Sequence, residues 1–371
     1  GFQRGVLLGH SDGATIAATT QGSTISVDVG GASVGDVISS TVLLSDNSQT
    51  STATGSASTQ TLTLDASNII GDGPVASISD TAVGGGVQLS AIGDTVIGNV
   101  QSVESSVEIA ATTSGNVIRS NMTPGSEVLN STLEVDGNRQ TASATGVTTE
   151  NTLSLTSGAT MSATGAVGSA QSMDGAVLAT TTSNAIQNQV IDEDVVNSSV
   201  LTTDNAIGAT ATGAEATNSL STTTATNNLS LATNSGAVRN GIDAGTDQPL
   251  VTAGQVLTND QSQSGSASVI ALVEDNQVLT SIGDDADGST VTTDGNLLSS
   301  SATANTADNT ISLAFNALTG GIAGGGVVAD TCLAFNRKCW SFDMDDRPET
   351  RPEIVKKILK DLGLWDLNKW Y

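Results

Sequence analysis

Asn47-Ser-Gln-Thr-Ser-Thr-Ala-Thr-Gly55, followed by Thr61-Leu-Thr-Leu64, decides the fold, because the chain repeats it three times. The copies are Asn138 to Gly146 with Leu153 and Leu155, Asn205 to Gly213 with Leu220, and Asn296 to Ala304 with Ile311 and Leu313. In every copy 8 residues separate the Asn from the Gly or Ala, and 7 more reach the first aliphatic residue. The copies start 91, 67 and 91 residues apart. These spacings share a divisor of about 22.6, giving four, three and four units, and a period in the range 20–50 is the signature of a stacked repeat. The alternating Thr-Leu-Thr-Leu runs have the period of a strand. The sequence therefore predicts an all-β fold, a β-solenoid (β-helix) over residues 13–330. It would have about 14 coils of about 22–23 residues, and at about 4.8 Å per coil a length of about 65–70 Å.

Composition agrees with thin, stacked coils. Among 371 residues, aromatics make up 2% and charged residues 13%. A globular core of this size would draw on many more large side chains, whereas a coil is filled by Val, Ile, Leu and Ala pressed against the coils above and below. Asn at one phase can stack into amide ladders, which assigns Asn47, Asn138, Asn205 and Asn296 as ladder or turn residues. Gly55, Gly146 and Gly213 are expected at turns, where the backbone needs positive φ. Weaker matches lie between the strong copies. Asp36-Val37-Ile38 and Asp194-Val195-Val196 are 158 residues apart, and Asn116-Val117-Ile118 is matched with Gln277-Val278-Leu279 at 161.

The net charge is −26. Residues 1–330 hold only Arg4, Arg119, Arg139 and Arg239 against 31 acids, a net of −27. Such a surface repels nucleic acid. No stretch reads as a membrane span, since the longest apolar run, Ile311–Val328, is broken by Asn316 and five glycines. A start at Gly1 rather than Met leads to the expectation of a trimmed precursor.

Enzyme chemistry is not expected, and no catalytic residue is assigned. His10 is the only histidine, so a triad or a zinc site has little to draw on. Cys332 and Cys339 have no second pair; a disulfide between them would suit an exported protein. No cofactor is expected, with calcium the one open possibility. The acids Asp284, Asp285 and Asp287 supply oxygen ligands of the kind hard cations take, without a complete calcium-loop spacing. The Thr50-Ser-Thr52-Ala-Thr54 run invites an ice-binding reading, but its counterparts carry Ser and Gly at the threonine positions.

The unit length, the Asn- and Ser-rich composition and the alternating strands resemble the curlin-type subunits of bacterial functional amyloid. They also resemble the β-strand-repeat surface proteins of the holdfast-anchor type. The resemblance implies export, an extracellular or cell-surface location, and self-assembly into a filament for attachment and biofilm, with anchoring or export machinery as further partners. The apolar segments at the two ends of the repeat, Phe2, Val6, Leu7 and Leu8 in residues 1–12, and Ile311, Leu313 and Phe315, are then the expected polymer interface. A monomeric adhesin stalk or surface-binding module is the alternative. Residues 331–371 differ in kind. They hold 8 of the 12 Lys and Arg and all three Trp, and residues 352–363 read as an amphipathic helix; the segment would cap the last coil, dock into a neighbour or serve as an export or anchoring signal.

Overall fold

The computed structural model describes residues 2–10, 14–30, 36–70, 76–83, 87–125, 127–191, 193–227, 236–242, 255–263, 266–318 and 329–330. The C-terminal segment 331–371, with the expected helix at 352–363 and both cysteines, lies outside the described residues.

The chain winds through four coils of six strands each. The first coil is β1 (Phe2–His10), β2 (Thr15–Gln21), β3 (Thr24–Gly30), β4 (Val37–Ile38), β5 (Thr41–Ser45) and β6 (Ser48–Ile69). An antiparallel hairpin follows, β7 (Ala76–Val83) and β8 (Val87–Gly93). The second coil is β9 (Thr95–Val103), β10 (Glu108–Ser114), β11 (Val117–Thr123), β12 (Val128–Leu129), β13 (Thr132–Asp136) and β14 (Arg139–Met161). The third is β15 (Gly165–Met173), β16 (Ala176–Thr182), β17 (Ala185–Val190), β18 (Val195–Val196), β19 (Ser199–Thr203) and β20 (Ala206–Asn227). After β21 (Gly236–Ile242) comes the fourth: β22 (Gln255–Gln263), β23 (Ser268–Glu274), β24 (Gln277–Ile282), β25 (Ala286–Asp287), β26 (Thr290–Asp294) and β27 (Leu297–Leu318). The strand β28 (Ala329–Asp330) ends the series.

Equivalent strands of successive coils pair in parallel, so each coil position becomes a sheet. Five of the six sheets are four-stranded; the sheet begun by β1 has six strands in the order β1-β9-β15-β22-β21-β28. This is a β-solenoid, with coils far larger than the spacing suggested. Asn47 lies directly against Asn138, Asn138 against Asn205, and Asn205 against Asn296. The offsets 91, 67 and 91 are thus single coil steps, and a 22–23-residue coil is not what the chain forms. Most of the extra 24 residues in the longer steps sit at one place. Between β14 and β15 only residues 162–164 intervene, whereas the hairpin lies between β6 and β9, and β21 lies between β20 and β22. Three spacings of about 4.8 Å put the first and last coils only about 14 Å apart, while a 23-residue strand such as β14 extends about 75 Å. The stack is broad and shallow.

The core lies between two layers, one built of the first three strands of each coil and the other of the last two. Moving away from the short strands β12 and β18, four apolar columns follow one another. Met122, Val128 and Leu133 form the first, and Ile118, Val135 and Ile207 the second. Ile109, Ala144 and Val177 lie in the third, and Ile97, Leu153 and Leu220 in the fourth. Every side chain of β9 and β15 is buried. Their inner faces meet β14, and β8 runs against the sheet they form. Such two-sided burial is usual for parallel strands. The N-terminal apolar segment is not set apart, because β1 pairs along its whole length with β9.

Candidate assembly surface

Three corners recur in every coil, and each uses the same device. One residue takes a left-handed conformation, and the Asn or Ser after it stacks on its counterparts. At the corner before the long strand the left-handed residues are Asp46, Gly137, Asp204 and Gly295, with φ of 56°, 64°, 53° and 65°. Glycine and aspartate are among the residues that reach this region at least cost. The residues that follow are Asn47, Asn138, Asn205 and Asn296. Asn47 donates its backbone N–H and its Nδ2 to Asn138 Oδ1, at 3.0 and 2.9 Å. Asn138 does the same to Asn205, and Asn205 to Asn296. Each buried amide also satisfies a carbonyl, as Asn138 Nδ2 does Leu44 O at 2.8 Å.

The sequence assigned these Asn to a ladder or turn; four further ladders escaped it, one of them Asn151 donating to Asn218 and Asn218 to Asn309. Asn116, Asn184 and Asn276 stack as Asn138 does. Ser40, Ser131, Ser198 and Ser289 form a hydroxyl ladder, each backbone N–H donating to the next serine Oγ. Inside the core, Gln101, Gln171 and Gln261 bridge the layers, donating to the carbonyls of Thr148, Glu215 and Thr306. The available signal was the residue before each corner Asn, as in Gly115-Asn116, Ser183-Asn184 and Asp275-Asn276.

Gly55, Gly146 and Gly213 are not the positive-φ turn residues expected from the sequence; they lie within the long strand, at a kink where its inward face changes parity. In β14 the buried positions are Gln140, Ala142 and Ala144 before the kink, then Val147, Thr149 and Asn151 after it. A Cβ on Gly55 would lie closer than 3.0 Å to Gly146 O, one on Gly146 as close to Gly213 O, and one on Gly213 as close to Ala304 O. The side chain would thus point at the carbonyl of the next coil. In the last coil the position is Ala304.

The two ends of the stack differ. At the first-coil end β2, β3, β4, β5 and β6 each pair on one side only, and β1 is the outer strand of its sheet. The inward residues Ile16, Val42, Leu62 and Leu64 are only half-buried there. At the fourth-coil end β23 to β27 are likewise outer strands, but the sheet of β22 continues through β21 and β28. The residues expected at the polymer interface fall at these opposite ends. Phe2, Val6, Leu7 and Leu8 lie in β1, whereas Ile311, Leu313 and Phe315 lie in β27, opposite Leu220, Thr222 and Thr224.

Asp284 and Asp285 lie near Asp194, with carboxylate oxygens within 4.8 Å of one another, all three exposed. Asp287 falls outside that group. The Thr50, Thr52 and Thr54 columns face solvent on the long sheet, interrupted by Gly208, and Glu150, Glu215 and Asp308 share that face. Among the described residues no helix is long and apolar enough to cross a membrane. His10 ends β1, and Arg119 with Asp28 at 3.8 Å is the ion pair found among the described residues. No protein-family model matches the chain, and neither the curated proteins nor the solved structures searched contain a similar one.

Proposed function

We propose that this chain is a structural protein whose working part is the solenoid itself, exported to the cell surface or beyond and self-associating through an end of its coil stack. The observation that carries the reading is the first-coil end. A complete coil of strand edges stands open there among the described residues, above half-exposed core side chains. Edge strands are usually blunted with Lys, Pro or inward charges. The 22 residues of β6 contain one acid, Asp65, and no Lys, Arg or Pro. An edge of that length and composition suits a strand added from another chain. An end-to-end filament is the extended form of this reading, and it would require the Asn ladder, whose donors point toward the fourth coil, to continue onto another Asn47.

The monomeric stalk is the second reading, and Ala304 favours it, because a coil with a side chain at that position refuses the stacking its predecessors make. Light scattering and electron microscopy of the purified chain across a concentration series, with and without calcium, separate the two. Assemblies of two or more chains support self-association. Single particles at every concentration would refute it and leave the stalk.

A further inference from the structure

We infer that the first-coil end pairs with the same end of a second copy, head to head and antiparallel through β6, so that assembly closes at two chains. This rests on the self-association proposed above and specifies its partner and geometry.

The fourth-coil end is closed to a copy added in coil register by two independent features. Ala304 replaces the glycine whose Cβ, in each earlier coil, would come closer than 3.0 Å to the next coil's carbonyl. A neighbour's Gly55 carbonyl would stand in that place, and a backbone atom cannot swing aside as a side-chain tip can. In addition, β21 already occupies the next level above β22, in register from Gly236 against Gln255 to Ile242 against Gln261. A head-to-tail partner would have to displace it. Continuing the Asn ladder would add only a few hydrogen bonds exchanged for those with water, too little to offset both.

Among the described residues the first-coil end has no such obstruction, yet its edge is selective. A kinked edge is a poor template for a plain strand. It fits a strand kinked at the matching place, and β6 of a second copy is such a strand. Laid antiparallel and centred on the kink, the two edges match face for face. Ala53 meets Ser56, Ser51 meets Ser58 and Gln49 meets Gln60, all turned inward and buried or half-buried within one chain. On the outer face Thr52 meets Ala57, both exposed. The interface is two-fold, the commonest closed symmetry of homo-oligomers, and it leaves no free first-coil edge to propagate.

Disulfide trapping in the full chain tests this, in a background with Cys332 and Cys339 changed to Ser. In Thr52→Cys/Ala57→Cys the two positions face each other across the proposed junction but lie too far apart along one strand to join within a chain. Oxidation should convert most of the protein to covalent dimers, and light scattering of the unmodified chain should give twice the chain mass. Thr52→Cys/Ser301→Cys reports head-to-tail stacking and should give no covalent ladder. A covalent ladder from that pair, filaments of the unmodified chain, or dimers that Thr52→Cys/Ala57→Cys does not trap would overturn the head-to-head junction while sparing self-association. Monomers at every concentration would overturn both. Replacing residues 228–254 by a three-residue link like Ser162-Ala163-Thr164, together with Ala304→Gly, should open the blocked end and turn dimers into longer assemblies. Unchanged dimers would overturn the assignment of the stop.

Discussion

Gly146→Ala places one methyl group in the middle of the stack, and its cost follows from what surrounds it. The new Cβ would crowd Gly213 O, with Met173 Sδ at 2.8 Å and Val177 Cγ2 at 3.1 Å. Overpacking a core typically costs 1–3 kcal/mol, and here the nearest obstacle is backbone fixed by the ladder of β14 on β20. A loss of about 2–4 kcal/mol is therefore expected, the upper part of the usual range for a single substitution. Gly158 is the control. It lies in the same strand, its left-handed region is not used, and its Cβ would meet only Ser67 Cα, at 3.8 Å. Gly158→Ala should be neutral or stabilise by up to about 1 kcal/mol by restricting the unfolded chain. Urea unfolding followed by circular dichroism measures both. With a slope of about 3 kcal/mol per molar, Gly146→Ala should lower the midpoint by about 1 M. Coincident midpoints for the two variants would refute the argument that coil-to-coil contact excludes a side chain at the kink, and with it the reading of Ala304.

Three further outcomes follow from the ladders and corners. Asn138→Ala removes the acceptor of Asn47 and the donor to Leu44 O; it should cost about 2–4 kcal/mol, against less for Asn296→Ala at the end of the ladder, measured by the same unfolding curves. Gln171→Leu strips a partly buried carbonyl, Glu215 O, of the Gln171 donor and leaves Gln261 Nε2 without Gln171 Oε1; it should destabilise by about 2–4 kcal/mol despite its greater hydrophobicity, and a rise in stability would refute the bridging role. Asp285→Asn relieves repulsion among the three exposed carboxylates and should raise the melting temperature slightly; a clear fall, or a calcium-dependent rise seen only with Asp285 in place, would show instead that the cluster holds a cation.

The repeated phrase contained the strand register itself. Asn47, Asn138, Asn205 and Asn296 are neighbours in space at the spacings they have in sequence, and the 158-residue offset of Val37 and Val195 is two coil steps, through Val128. Dividing those spacings further was the error. One coil holds three corners of one chemistry, so a turn followed by Asn or Ser recurs within a coil as well as between coils. The looser match at 161 residues was one residue off, because Ile118 pairs with Ile186 and Ile186 with Val278, an offset of 160. Such a slip exchanges the two faces of a strand. The interior glutamines were not legible, because a polar residue in an alternating run reads as outward-facing until the opposite layer is known. Nor could one chain show that Ala304 differs in consequence from its glycine counterparts, since the excluded volume belongs to a carbonyl a full coil away.

The hairpin and β21 both enter where the long strand gives way to the first strand of the next coil, and between β14 and β15 three residues make the same passage. That passage is a natural port for grafting. A foreign epitope or binding loop of two dozen residues placed between Met161 and Gly165 should be carried on the flank of the stack without shifting any rung. Display vehicles could thus be built from this chain by cargo exchange at a single address.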